Sequence, residues 1–245
     1  MLTVKQSERD LTVTFPASSD LVDEAIALQG RMRNLIRVDR PLAAPPRLVG
    51  GVDVAYADSG EAGGVLAGAI VVLDATTLEV VESAAQVGRA EFPYVPGLLA
   101  FRELPTLIRL WDGLRHRPDV VVCDGYGIAH PRRFGLACHF GLVMGIPTFG
   151  VGKTAFVGSH APVGDARGDS ADLVFEGDVV GRALRTRAGV KPVYVSPGHL
   201  IDLDGACSVT LSLTSGYRLP ETTRQADRLS REALRAAVAG DTAVS

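Results

Sequence analysis

Residues 20 to 36, DLVDEAIALQGRMRNLI, place Leu21, Ala25, Leu28, Met32 and Leu35 at alternating spacings of four and three, with acids in the first turn. That spacing predicts a helix with one buried stripe. After the proline-rich RPLAAPPR come LVGGVDVAY, GGVLAGAIVVLDA and LEVVESAAQV. These β-rich runs, parted by Gly, Asp and Thr turns, predict three successive antiparallel strands. Next comes EFPYVPGLLAFRE, residues 91 to 103. Pro93 and Pro96 each fix their own φ and bias the residue before them toward extended backbone, so Tyr94 is presented on a short, stiff, non-helical strip. A helix is predicted from about Gly97, interrupted by Pro105 and restarting toward Trp111.

The apolar run DVVVCDG ends in Asp-Gly and reads as a buried central strand. PRRFGLACHFGLVMG predicts a helix with Pro131 in its first turn, and IPTFGVG the next short strand. Beyond Lys153 lie a polar insert, about Ser159 to Gly181, with no assigned role, short strands near Ala183 to Thr186 and Lys191 to Ser196, the loop SPGH, and a C-terminal helix from about Thr222 to Val238. The order of strand, strand, strand, helix, strand, helix, strand predicts an α/β fold: a mixed sheet of three antiparallel strands and then parallel strands, flanked by helices. No linker divides the 245 residues, which read as one domain, 1–245.

Composition narrows the class. The chain is 47% hydrophobic and 22% charged with a formal net charge of -3, a globular balance with enough apolar residues for a sizeable core. No run approaches the roughly 18 apolar residues of a membrane span, and MLTVKQSERD lacks a signal-peptide layout, so a cytoplasmic location is expected. Cys123, Cys138 and Cys207 lack C-x-x-C spacing and are expected as small buried residues rather than a disulfide framework or zinc site. Mild acidity does not advertise a nucleic-acid binder, but Arg132, Arg133, Lys153, Arg182, Arg185 and Arg187 concentrate positive charge in the second half, as do Arg224, Arg228, Arg231 and Arg235 near the end. The latter group also fits the solvated face of a helix.

Three acids stand out. Asp53 sits inside the first strand between Val52 and Val54, a costly place for a charge that is neither paired nor bound to a cation. Glu103 lies on the helix after the third strand, and Asp124 closes the fourth, where Asp-Gly is also an ordinary turn signal. The predicted topology brings the three to one end of the sheet. Carboxylates are hard ligands suited to Mg²⁺ or Mn²⁺, and Mg²⁺ is usually held by one or two carboxylates with water and substrate phosphate oxygens. Lys153, at the end of the following strand, can add a cation for transition-state charge. In DGYGIAHPRRFG, Gly125 and Gly127 allow close backbone approach. His130, Arg132 and Arg133 stand at the predicted helix entrance, where anions are favoured; His130 alternatively caps that helix.

VGGVDVAY, FPYVPGLLAFRELP, DGYGIAHPRRFGLACHFGLVMGIPTFGVGK, PVYVSPGH and YRLPETTRQAD, together spanning roughly Leu48 to Asp227, resemble the successive blocks of endonuclease V, the deoxyinosine-specific repair nuclease family. The resemblance implies a ribonuclease H-like fold. It implies that Asp53, Glu103 and Asp124 hold catalytic Mg²⁺, which Mn²⁺ can replace, and that His130 and Lys153 support catalysis. It makes the PYVP loop a wedge, with Tyr94 entering the duplex and filling the space of the nucleotide rotated out, flanked by Pro93, Pro96 and Gly97. Stiffness avoids an ordering cost at insertion, and an aromatic face recovers part of the lost stacking. Hypoxanthine is expected against backbone near Gly97, Gly125 and His130, with Arg132 and Arg133 on the strand. The implied product is a nick at the second phosphodiester bond 3′ to the lesion, with 3′-hydroxyl and 5′-phosphate ends.

Two positions depart from the family's pattern. Tyr126 stands where His or Gln is common between the glycines, which bears on strand contacts and base selectivity. Asp227 falls where members carry a metal-site His or an Asp, and is a candidate outer ligand. The expected partner is deoxyinosine-containing DNA, with a monomeric protein and no membrane. The alternatives are an inosine-specific endoribonuclease and a lesion-binding protein without turnover.

Overall fold

The computed structural model describes residues 21–57 and 64–242, with side chains to 239. Asp20, expected in the first helical turn, and the opening ten residues lie outside them.

One eight-stranded sheet forms the centre, in the order β3-β2-β1-β4-β5-β8-β7-β6. β1 (Leu48–Tyr56), β2 (Val65–Asp74) and β3 (Val80–Arg89) are the predicted antiparallel meander. β4 (Val120–Asp124) runs parallel to β1, and β5 (Thr148–Gly152) parallel to β4. β6 (Ser170–Phe175) and β7 (Asp178–Leu184) form a hairpin that continues the sheet through β8 (Val193–His199), antiparallel to β5. The insert therefore includes sheet structure. Its strands mix polar and apolar residues without strict alternation, so their pattern is weak.

The helices are α1 (Leu21–Arg33), α2 (Leu99–Gly113), α3 (Leu136–Met144), α4 (Leu203–Ser212) and α5 (Glu221–Thr242). Strand parity divides the core. Val52, Val121 and Cys123 pack with Leu104, Leu107 and Phe140 of α2 and α3. Val49, Val120 and Val122 face the other way, with Ala206 and Val209 of α4. α5 lies on the second face so closely that a Cβ on Gly51 would sit 2.6 Å from Thr222 O. α1 adds Ala25, Leu28 and Met32 to Phe92, Phe101 and Phe134.

Three helix expectations change. α2 runs unbroken through Pro105. An interior proline costs about 3 kcal/mol. Against it stands a continuous stripe of Ala100, Phe101, Leu104, Leu107 and Leu110, all buried, each large side chain contributing roughly 1.5–3 kcal/mol. α3 begins at Leu136, not Pro131, because residues 131–135 form a turn and then extended chain. The amides of Gly135 and Ala137 bond to the carbonyls of Gly127 and Tyr126. The amino end of α3 is thus met by protein carbonyls, and His130, Arg132 and Arg133 precede it in a loop. α4 is the unpredicted helix; Asp202 caps it, accepting from Gly205 N at 2.8 Å.

Cys123, Cys138 and Cys207 are buried and unpaired, as expected. Among the described residues, no helix is long and apolar enough to cross a membrane.

Candidate active site

Parallel pairing of β1 with β4 matches Val52 to Cys123, so Asp53, inside β1, and Asp124, the last residue of β4, follow side by side. Both share the parity of the face that α5 covers, and α5 adds Asp227. Carboxylate oxygens of Asp53, Asp124 and Asp227 all lie within 4.8 Å of one another. Glu103 is not one of the three. It comes from α2 on the opposite face, is 5% exposed, and accepts a 2.6 Å hydrogen bond from the Tyr56 hydroxyl. The geometry therefore moves Asp227 from the periphery to the centre of the acidic set.

Burial pushes Asp53 up to about 6, and the charges of Asp124 and Asp227 push the same way. Ser230 Oγ donates to Asp53 Oδ2 at 2.6 Å and opposes the shift. Glu103 rises to about 8, mainly from burial, with Asp53 and Asp124 adding to it. Lys153 Nζ bonds Asp124 Oδ2 at 2.8 Å; burial works against its charge, but that bond and the surrounding acids hold it above its ordinary value. Arg231 bonds Asp227 Oδ1 at 2.9 Å. Like charges pressed together and partly desolvated make a site that a divalent cation would relieve, and three hard oxygen donors suit Mg²⁺ or Mn²⁺. These acids edge a hollow of about 470 Å³ shared with Tyr56, Lys153, Arg231 and Arg235.

A second pocket, about 270 Å³, opens beside it, and Asp124 lines both. Its walls include Tyr94, Gly97, Gly125, Tyr126, His130 and Phe156. Phe156 stacks on Tyr126, ring centres 5.2 Å apart, and meets His130 edge-on at 5.5 Å. Tyr94 sits on the predicted non-helical strip between Pro93 and Pro96, 52% exposed. The strip ends at Gly97, whose φ of +81° suits glycine.

Gly97 O is held by Gln29 Nε2 at 3.0 Å, His130 Nε2 at 3.0 Å and Arg132 Nη2 at 2.7 Å. His130 Nδ1 accepts from Arg132 N at 3.1 Å, so Nε2 carries the proton given to Gly97 O. Burial, then Arg132, lowers the His130 pKa to about 4, consistent with that neutral ring. His130 thus braces the Pro93–Gly97 strip and lines the pocket; it is not in the acidic hollow. Arg132 also bonds Gln29 Oε1. Arg133, left-handed at φ +56°, reaches Phe175 O at 2.7 Å and Asp178 at 3.3 Å, tying the β6–β7 hairpin to this loop. Arg182 and Arg185 are likewise committed, to Asp172 and Asp204 and to Gly164 O and Val163 O.

Gln29 and Ser230 carry no motif and were invisible in the sequence, and Tyr56, though inside the block VGGVDVAY, was not singled out. Phe156 was also missed, and its one signal was being an aromatic residue three positions after Lys153.

A family model described as Endonuclease V matches residues 31–228. Endonuclease V of Nocardia farcinica is 54% identical over 228 residues, 93% of this chain and 98% of that protein. The crystal structure of Endonuclease V from Streptomyces avermitilis matches with a TM-score of 0.85 at 53% identity, covering 91% of this chain and 96% of that one. Endonuclease V of Ciona intestinalis, in complex with a 24mer DNA containing an inosine followed by a ribo-adenosine, matches with a TM-score of 0.78 at 26% identity, covering 89% of this chain and 100% of that one. A matched model over most of the chain, relatives above half identity, and the same mixed sheet place this chain in the endonuclease V family.

Proposed function

We propose that the protein is a Mg²⁺-dependent endonuclease that recognises deoxyinosine in DNA and hydrolyses the second phosphodiester bond 3′ to it, leaving 3′-hydroxyl and 5′-phosphate ends. The observation that carries this reading is Asp124, which belongs both to the aromatic-walled pocket and to the acidic hollow. A base rotated into the pocket leaves its own strand passing the carboxylates, so recognition and hydrolysis occur on neighbouring nucleotides.

Asp53, Asp124 and Asp227 would hold the cation, with Glu103 close enough to influence their charge. Bound there, Mg²⁺ supplies polarisation of the phosphoryl oxygen and acidification of water. Lys153 offers positive charge at the scissile phosphate. Tyr94, on its stiff strip, fills the stack that the rotated base leaves. Inosine pairs weakly, which lowers the cost of rotation, a few kcal/mol for a paired base.

The test is nicking of a 5′-labelled duplex carrying one deoxyinosine, with Mg²⁺, with EDTA, and beside an undamaged duplex. A Mg²⁺-dependent product ending one nucleotide 3′ of the lesion is expected, and Asp124→Ala should lower its rate about 1,000-fold, as for a loss of about 4 kcal/mol. Nicking by that variant at the wild-type rate would refute the assignment. A second reading, cleavage of inosine-containing RNA, is favoured by the ribo-adenosine after the inosine in the Ciona intestinalis complex. Matched substrates with ribose or deoxyribose at that position separate the two through the 2′-hydroxyl.

A further inference from the structure

Tyr126 lies in the loop leaving β4, and its side chain crosses to the segment leaving β5. Its hydroxyl donates to Thr154 O at 3.0 Å while its ring stacks on Phe156 at 25° between planes. The fit beneath is close: a Cβ on Gly152 would sit 2.7 Å from Tyr126 Cε1. From another part of the chain, Arg218 reaches the preceding carbonyl. Its Nη2 donates to Lys153 O at 2.5 Å and to Pro192 O at 2.8 Å, and its Nε to Lys191 O at 2.9 Å.

The segment so held has little else to fix it. Lys153, Thr154, Ala155 and Phe156 are all exposed. One end places Lys153 Nζ on Asp124, and the other places Phe156 in the pocket wall. A long lysine side chain has many rotamers, and holding its backbone narrows where the ammonium can sit.

We infer that Tyr126 and Arg218 are positioning residues that act through Lys153, clamping successive carbonyls so that residues 153–156 form a strut between the base pocket and the acidic hollow. The inference rests on the nuclease reading of the site. It gives Tyr126, the departure between the two glycines, a role in rate rather than in binding.

The test pairs a kinetic arm with one that needs no substrate. Tyr126→Phe keeps the ring and removes one hydrogen bond, so single-turnover nicking of the deoxyinosine duplex should fall about fivefold while duplex Kd stays within about twofold. In a Lys153→Ala background the same change should alter the rate less than about twofold, because the group it positions is gone. Arg218→Gln should show the same dependence on Lys153. An equal loss in both backgrounds overturns the inference.

The second arm uses the lysine count. The sequence contains only Lys5, Lys153 and Lys191. Limited acetylation read by mass spectrometry gives Lys153 labelling with Lys191 as internal reference, and Tyr126→Phe should raise that ratio at least about twofold as the strut loosens. An unchanged ratio overturns the inference. A wild-type protein that leaves the duplex intact would instead refute the nuclease reading, while the labelling ratio still decides whether Tyr126 holds Lys153.

Discussion

Asp53 offers a test of the acidic hollow that needs no DNA. Its carboxyl rises from an ordinary 3.8 to about 6. The folded protein therefore holds this proton more tightly than the unfolded chain does. Stability from the proton is complete below about pH 3.8 and is lost as pH rises through about 6. The rise to about 6 corresponds to about 3 kcal/mol of stability lost by pH 8, about half of it already gone at pH 5. Asp53→Asn removes the ionisation and keeps an oxygen to accept from Ser230 Oγ. The variant should stabilise the metal-free protein by about 3 kcal/mol at pH 8 and about half that at pH 5, raising Tm by roughly 6–12 °C at the higher pH. Urea unfolding in EDTA at the two pH values measures both figures. Millimolar Mg²⁺ should then stabilise the wild type at pH 8 and have much less effect on the variant. A variant no more stable than the wild type at pH 8 would show that the hollow does not hold its acids under electrostatic stress.

Other substitutions probe the proposed wedge, the pocket and the helix that closes the acidic hollow. Tyr94→Ala should leave Tm unchanged, since the ring is 52% exposed, and lower kcat/KM on a deoxyinosine duplex by about 10-fold or more, as stacking of roughly 1–3 kcal/mol is lost. The loss should be smaller on single-stranded substrate, and equal losses on both would refute the wedge. Gly51→Ala drives a Cβ to 2.6 Å from the backbone of Thr222 and should cost about 2 kcal/mol, seen as a Tm lower by about 4–8 °C. Because α5 also carries Asp227 and Ser230, calorimetry should show weaker Mg²⁺ binding by the same variant. Gln29→Leu leaves Gly97 O and Phe134 O without that donor and should raise KM for the deoxyinosine duplex several-fold, as expected for lost hydrogen bonds of about 1 kcal/mol each.

What could be read from the residues followed from local pattern. β1, β2 and β4 announced themselves as apolar runs, and Asp53 as a charge among valines. Pro105 misled because a local rule met a tertiary opponent: the buried stripe on either side of it outweighs the missing amide. Pro131 misled in the other direction, its helix waiting until Gly135 lets the chain pass Tyr126 O, where a Cβ would stand 2.3 Å away. The rest of the site depends on partners distant in sequence. Ser230 meets Asp53 across 177 residues, and Gln29 meets Phe134 across 105. Neither has a spacing to recognise. Asp227 was legible as an outer position, but its rank as a close neighbour of Asp53 and Asp124 emerged only from the seating of α5 on Gly51.

Gln29 and Ser230 also carry a consequence for how the protein is made. Among the described elements, the pocket is braced by a helix that leaves the ribosome before the strands, and the acidic hollow is closed by a helix that leaves it after them. A nascent chain with the whole sheet in place but α5 still in the exit tunnel has Asp53 and Asp124 without Asp227 or Ser230. On the proposed reading, the acidic set is complete only after α5 has emerged and docked on the sheet. A nuclease assembled in that order would build its sheet beside the ribosomal RNA and message before it had a full set of carboxylates.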